Sequence, residues 1–135
     1  MSKVALNLPS YEARIKVDKQ QEFIFCPNRK KWLVLTPEEW VRQHFINYLC
    51  VQKYPKSLIN TEGGLQYGKR LKRSDILVYD REVKPFLLVE CKAPHIKIDQ
   101  KVLKQIAEYN HIIKAPYIAI TNGLQHFYFQ LITEE

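Results

Sequence analysis

The chain carries only four glycines, one methionine and three cysteines among its 135 residues. Scarce glycine beside 12% aromatic and 46% hydrophobic residues excludes a low-complexity or disordered chain. No apolar run approaches the roughly 20 residues that span a bilayer. The opening stretch, MSKVALNLPS, lacks an apolar signal-peptide core followed by a small-residue cleavage site. Cys26, Cys50 and Cys91 are odd in number, far apart and set in apolar surroundings. With no CxxC pair they offer neither a zinc knuckle nor a dithiol redox centre, and they predict reduced, buried thiols. These absences together predict a soluble, cytoplasmic protein. Acidic residues are also in short supply: 14 Asp and Glu face 21 Lys and Arg, for a net charge of +7. Such an excess favours anionic partners, nucleic acid first.

The length is that of one domain with a real core, and no repeat or linker divides it. EFIFCPNRKKWLVLT is two apolar runs about Pro27-Asn28-Arg29-Lys30, a hairpin signal. TPEEWVRQHFINYLCVQKYP predicts a helix. Thr36 is its N-cap, Pro37 fits the first turn and Glu39 closes a capping box. Val41, Phe45, Tyr48 and Leu49 form the apolar arc, and Pro55 stops the helix. Two extended stretches follow, with a Gly63-Gly64 break between them. DREVK is a turn, and PFLLVECKA is a further strand. DQKVLKQIAEYNHIIK predicts a second helix, capped by Asp99 and ended before Pro116. YIAIT, the Asn122-Gly123 turn and LQHFYFQLI complete the chain as two strands. Strands, helix, three strands, helix, strand, strand is the order of an α/β sandwich with a mixed sheet.

Several familiar chemistries fail on inspection. Gly63, Gly68 and Lys69 approach a P-loop, but Arg70 stands where Ser or Thr would reach magnesium, and a strand follows where a helix must begin. His44, His95, His111 and His126 show no metal-ligand spacing. There is no GxSxG and no Cys/His nucleophile arrangement.

What remains is a charged group inside an apolar run. In LLVECKAP, Glu90 and Lys92 share one strand face and Cys91 takes the other. Counting back from a Tyr79–Pro85 pairing across the turn puts Asp75 opposite Val89 and beside Glu90, to within one residue. Two carboxylates brought together in a semi-buried place repel unless a cation joins them. Hard oxygen donors suit Mg²⁺ or Mn²⁺, and a nearby lysine can orient water or neutralise phosphate charge. On spacing alone, a salt bridge from Lys92 to Asp75 or Glu90 accounts for the same residues.

RSDILVYD followed by LLVECKAP resembles the D…ExK signature of the PD-(D/E)XK nuclease superfamily, with Ser74-Asp75 in place of its Pro-Asp. QIAEY, Gln105 to Tyr109, is similar to the QxxxY element of the RecB-like branch. From LTPEEWVRQHFINYL through TNG, about residues 30 to 130, the chain resembles the N-terminal nuclease domain of type I restriction enzyme R subunits. The motifs stand in that family's order, which favours the nuclease reading over the salt bridge.

The resemblance implies a single domain over 1–135. Within it, 1–35 is an N-terminal β-hairpin extension and 36–132 a restriction-endonuclease-like core, a central mixed β-sheet flanked by two main helices. It implies a Mg²⁺- or Mn²⁺-dependent DNA endonuclease in which Asp75 and Glu90 ligate the metal and Lys92 serves the water or the transition state. Gln105 and Tyr109 would look onto the site from the second helix. A first-helix glutamate is also implied, and helical phase favours Glu38 over Glu39. Lys69, Arg70, Lys72 and Arg73, with Lys101 among Lys97, Lys101 and Lys104, would grip DNA phosphates. A homodimer or a larger restriction or repair complex is the implied assembly, with no membrane. No helicase motor motif occurs in these residues, so no translocation-coupled role is implied. A non-cleaving nucleic-acid-binding module and a protein-interaction subunit are the alternatives.

Overall fold

The computed structural model describes residues 3–61 and 75–132. Three strands come first: β1 (Ile15–Asp18), β2 (Gln21–Cys26) and β3 (Lys31–Val34), an antiparallel sheet in that order. Helix α1 (Pro37–Val51) follows, then a 3-10 turn at Lys56–Leu58, β4 (Ile59–Asn60), β5 (Asp75–Tyr79) and β6 (Pro85–Cys91). Helix α2 (Gln100–Ile113), β7 (Tyr117–Thr121) and β8 (His126–Gln130) complete the order. Strands β4 to β8 form a second sheet in sequence order. Its pairs are antiparallel except β6 with β7, which run parallel because α2 crosses over between them. This is the α/β, restriction-endonuclease-like arrangement expected from the sequence.

The expected N-terminal hairpin is a three-stranded sheet. The extra strand, β1, is joined to β2 by Lys19-Gln20, both at positive φ (50° and 69°). That conformation is the usual province of Asn-Gly, so the turn left no compositional mark. The expected turn at Pro27–Lys30 is present, closed by Lys30 N–H donating to the Cys26 carbonyl at 2.7 Å.

The helix ends follow from their caps. Thr36 Oγ1 accepts from the Glu39 N–H at 3.0 Å, satisfying one open donor of α1. After Val51 the chain leaves the helix through Lys53 at φ 76°, two residues ahead of Pro55. Asp99 Oδ1 accepts from the Val102 N–H at 3.1 Å at the start of α2. The far end of α2 is held by buried Asn110, which donates to the Ala115 carbonyl at 2.9 Å and accepts from the Ala115 N–H at 3.0 Å.

Side-chain alternation divides the core in two. Ile76, Val78, Leu87, Val89 and Cys91 pack with Val41, Phe45, Ile46 and Leu49 of α1. Leu77, Leu88, Ile118 and Ile120 pack with Ile106 and Ile113 of α2. Strand β6 is therefore paired on both edges and covered on both faces, and this is why it reads as a nearly unbroken apolar run. Each such Leu, Ile or Val contributes roughly 1.5–3 kcal/mol when fully buried.

The N-terminal segment covers the outer side of α1. Trp40 Nε1 donates to the Val4 carbonyl at 2.8 Å, and the Asn7 N–H donates to the Gly123 carbonyl at 2.8 Å. Gly123 sits at φ 87°, and a Cβ there would stand 2.7 Å from Leu6, so both conformation and space ask for glycine. The same cover buries His44, whose Nδ1–H donates to the Trp40 carbonyl at 2.9 Å and whose ring meets Tyr11 edge-on at 4.9 Å.

Two outcomes follow. Gln20→Gly relieves a left-handed position that costs a side-chain-bearing residue about 1 kcal/mol. Urea unfolding should show a gain of roughly 0.5–1 kcal/mol, and a loss would contradict this account of the turn. Burial pushes the His44 imidazole below its ordinary value, against the smaller opposing pull of its hydrogen bond to Trp40. The unfolded chain therefore binds more protons than the folded one between that depressed value and about pH 6.5. Stability should fall as pH drops below about 6.5, and His44→Gln should flatten the slope. An unchanged slope in the variant would assign the pH dependence elsewhere.

Candidate active site

Strand β5 pairs with β6 through Tyr79–Pro85, then through Val78–Leu87, Leu77–Leu88, Ile76–Val89 and Asp75–Glu90. The step between the first two pairs leaves Phe86 as an extra residue on β6, a β-bulge. The bulge corrects the count made from sequence: Asp75 lies opposite Glu90, not Val89. Partners in an antiparallel pair occupy the same sheet face, so positions 75 and 90 belong together. Asp75 is described by its backbone.

Glu90 is 3% exposed. It lies two residues past Leu88, on the face covered by α2, while Val89 and Cys91 face α1. Its Oε2 lies 3.3 Å from Nζ of Lys92, the two side chains being 4% and 20% exposed respectively. The pair therefore spans from the interior to the rim. Lys92 extends the ladder beyond β6, its N–H donating to the Thr121 carbonyl at 2.8 Å. Pro94 has no N–H to carry it further.

Asn122, absent from the sequence-derived site, fixes the loop that follows. Its buried side chain donates to the Ile96 carbonyl at 2.9 Å and accepts from the N–H groups of Leu124 and Gln125 at 2.9 and 2.8 Å. One residue thus ties the segment after Lys92 to the β7–β8 turn. Its only sequence signal was the Asn-Gly turn.

The register also draws a row across the sheet: Asp75, Glu90, Ile120, Phe127. Phe127, on the edge strand, is 39% exposed. It helps line a cleft of about 360 Å³ with Ile98, Leu103 and Ile120 on the α2 side of the sheet. A cleft of about 540 Å³ lined by Phe45, Tyr48, Tyr54, Phe86, Tyr117 and Tyr128 lies at the other end of β6 and β7, away from Glu90 and Lys92.

The other expected site residues are placed as follows. Tyr109 is half-buried against the α2-side core, and Gln105, one turn before it, is exposed. Lys97, Lys101 and Lys104 are exposed at the start of that helix and just ahead of it. Glu38 is half-buried in the first turn of α1. Glu39 does not close the capping box with its side chain. Its carboxylate pairs with Arg42 at 3.0 Å and accepts from Gln43 Nε2 at 2.7 Å. Arg42, 1% exposed, also donates to the Thr61 carbonyl at 3.1 Å. A buried guanidinium needs such a partner, which commits Glu39 to the fold. Lys69, Arg70, Lys72 and Arg73, like Gly63, Gly64 and Gly68, lie outside the described residues. Among the described residues no group of three or more His, Cys, Asp or Glu side chains could hold a metal, and no helix is long and apolar enough to cross a membrane.

Residues 37–135 match the family described as type I restriction enzyme R protein N terminus. The chain belongs to that family. Comparison with curated proteins and with solved structures found no match. Membership makes this a nuclease-like domain of the restriction–modification type, and the matched span holds both helices and Asp75, Glu90 and Lys92. Strands β1 to β3 precede it.

A buried ion pair recovers its desolvation cost poorly, so apolar residues of similar volume often replace it without loss. Glu90→Leu with Lys92→Met should leave stability within about 1 kcal/mol of the parent, or above it, in urea unfolding. A loss of several kcal/mol would mark the pair as a structural fixture of β6.

Proposed function

We propose that this domain hydrolyses phosphodiester bonds of DNA in a Mg²⁺- or Mn²⁺-dependent reaction at the Asp75, Glu90 and Lys92 group. The observation that carries the reading is the pairing of Asp75 with Glu90 across β5 and β6, with Lys92 ion-paired to Glu90 on the same face. Family membership supports the same conclusion.

The donor set suits a hard dication: two carboxylates from adjacent strands, with water and a phosphate oxygen left to complete the coordination. Asp75 and Glu90 would hold it, and when bound it would supply Lewis-acid charge to the phosphate and to the attacking water. The protein's own part is placement. Glu90 is fixed by ladders on both edges of β6, so its carboxylate need not be organised when substrate arrives. Lys92 has its backbone tied to Thr121 and its ammonium at the rim, where it can donate to the attacking water or to a non-bridging phosphate oxygen. Gln105 and Tyr109 would border the site from α2, and Glu38 is the proposed contribution of α1. Lys69, Arg70, Lys72, Arg73 and Lys101 would hold the phosphate backbone without reading sequence. A homodimer, or a larger restriction complex, would bring a second site to the second strand.

The test is nicking of supercoiled plasmid with Mg²⁺, with Mn²⁺ and with chelator. Lys92→Ala and Glu90→Gln, each checked for folding by circular dichroism, should lower the rate by about 10²-fold or more. Full activity in both variants would overturn the assignment. Salt-sensitive DNA binding with no cleavage under any metal condition would favour the non-cleaving module.

A further inference from the structure

The outer face of the β1–β3 sheet is a surface that the nuclease site leaves unexplained. It precedes residues 37–135, the span matched to the family. The pairing fixes its composition. Ile24, Cys26 and Leu33 are buried on the inner face. The opposite face carries Phe25 paired with Trp32, then Lys16 with Phe23 and Phe23 with Val34, and Arg14 lies next to Phe25, whose N–H donates to the Arg14 carbonyl. Two cations are thus set among three aromatic rings on an open three-stranded sheet.

The cations are held in an unusual way. The Arg14 guanidinium lies 4.6 Å from the Phe25 ring centre and 5.4 Å from that of Trp32. The Lys16 ammonium lies 4.5 Å from the Trp32 ring centre. Among the described residues neither is ion-paired with a carboxylate, and both are exposed. A ring fixes the position of a cation without neutralising its charge and leaves its N–H donors free. Residues 14 to 34 contain six Lys and Arg against two acidic residues, more than half of the chain's net excess.

We infer that this face binds single-stranded DNA as a second contact surface of the nuclease domain. Arg14 and Lys16 would take adjacent phosphates, and the half-buried rings of Phe23 and Trp32 would take bases by the parts they leave accessible. Positions 14 and 16 are two apart in extended chain, a backbone spacing of roughly 6.7 Å, comparable to the separation of successive phosphates in an extended strand. Partly accessible aromatic side chains beside cations suit a single strand better than a duplex, because duplex bases are already stacked and paired. The inference rests on the nuclease reading for its choice of DNA and adds to it a site for the unpaired strand.

The experiment is fluorescence anisotropy of labelled single-stranded and duplex oligonucleotides, in chelator to prevent cleavage, across a salt series. Arg14→Ala with Lys16→Ala should weaken single-strand binding at least tenfold. It should also reduce the slope of log affinity against log salt by about 1.4, the share of two phosphates at about 0.7 each. A control of equal charge change, Arg81→Ala with Lys84→Ala in the β5–β6 turn, should have a much smaller effect. Phe23→Ala should weaken single-strand binding with the salt slope unchanged. Equal losses from the two double variants would reduce the effect to net charge and overturn the inference. Losses confined to duplex would overturn it as well. Unaltered single-strand affinity in the variants, with plasmid nicking retained, would sink this inference alone. No binding of either DNA by the parent protein would overturn this inference, while plasmid nicking with Mg²⁺ or Mn²⁺ decides the nuclease reading separately.

Discussion

A carboxylate in the middle of a sheet, covered on both faces, is costly unless a cation stands beside it. Glu90 occupies such a place, 3% exposed on the central strand β6, and Lys92 meets it at 3.3 Å. The rest of the site depends on how that carboxylate is reached. Pairing on both edges fixes its backbone, and Leu88 on the same face fixes its layer. The bulge at Phe86 then decides which residue of β5 lies opposite. Without it, the Tyr79–Pro85 pairing would carry through to set Asp75 against Val89, on the face that packs against α1. One inserted residue at the far end of the strand is what places two acidic positions side by side. Phe86 has its own reason to be there, since its ring packs against Tyr54 and Tyr117.

The two faces of the sheet do different work. The α1 side holds a large apolar cluster, the Arg42–Glu39 pair and an N-terminal segment laid over His44 and Trp40, with a cleft at the far end of β6 and β7. Arg42, Glu39, Gln43 and His44 find their partners within the protein there, so they serve the fold. On the α2 side Lys92 reaches the rim, and Phe127 and Leu103 line a cleft. A fully paired central strand would suit the proposed hydrolysis, because Glu90 and Lys92 would stay in place while substrate and solvent exchange.

Much of this was legible in the residues because it rests on local chemistry. Thr36, Pro37 and Asp99 mark helix starts through the hydrogen bonds they offer, and LLVEC reads as a central strand because it is buried on every side. The unread parts lack a local signature. Lys19-Gln20 forms a positive-φ turn without Asn or Gly, so β1 was missed. The bulge follows from packing around Phe86, which no alternation pattern encodes. Glu39 sits where a capping box would use it, yet the guanidinium of Arg42 competes for its carboxylate and wins, because Arg42 is buried and has few other acceptors. Asn110 and Asn122 act through backbone groups brought close only by the finished fold.

The salt bridge of Glu90 and Lys92 and the proposed nuclease site are compatible, as two states that one arrangement would adopt without and with a dication. In the free protein the ammonium relieves a carboxylate that burial would otherwise penalise. A dication at the same place would provide that relief more strongly, and the lysine, with its backbone still anchored to Thr121, would be released to a water or a phosphate oxygen. Its stem is flexible and its ammonium partly solvated, so the exchange asks for no backbone movement. An arginine, with a planar fork suited to a bidentate carboxylate, would hold the pair more firmly and yield it less readily. That difference gives a chemical reason for lysine at position 92, independent of any resemblance between this chain and a family.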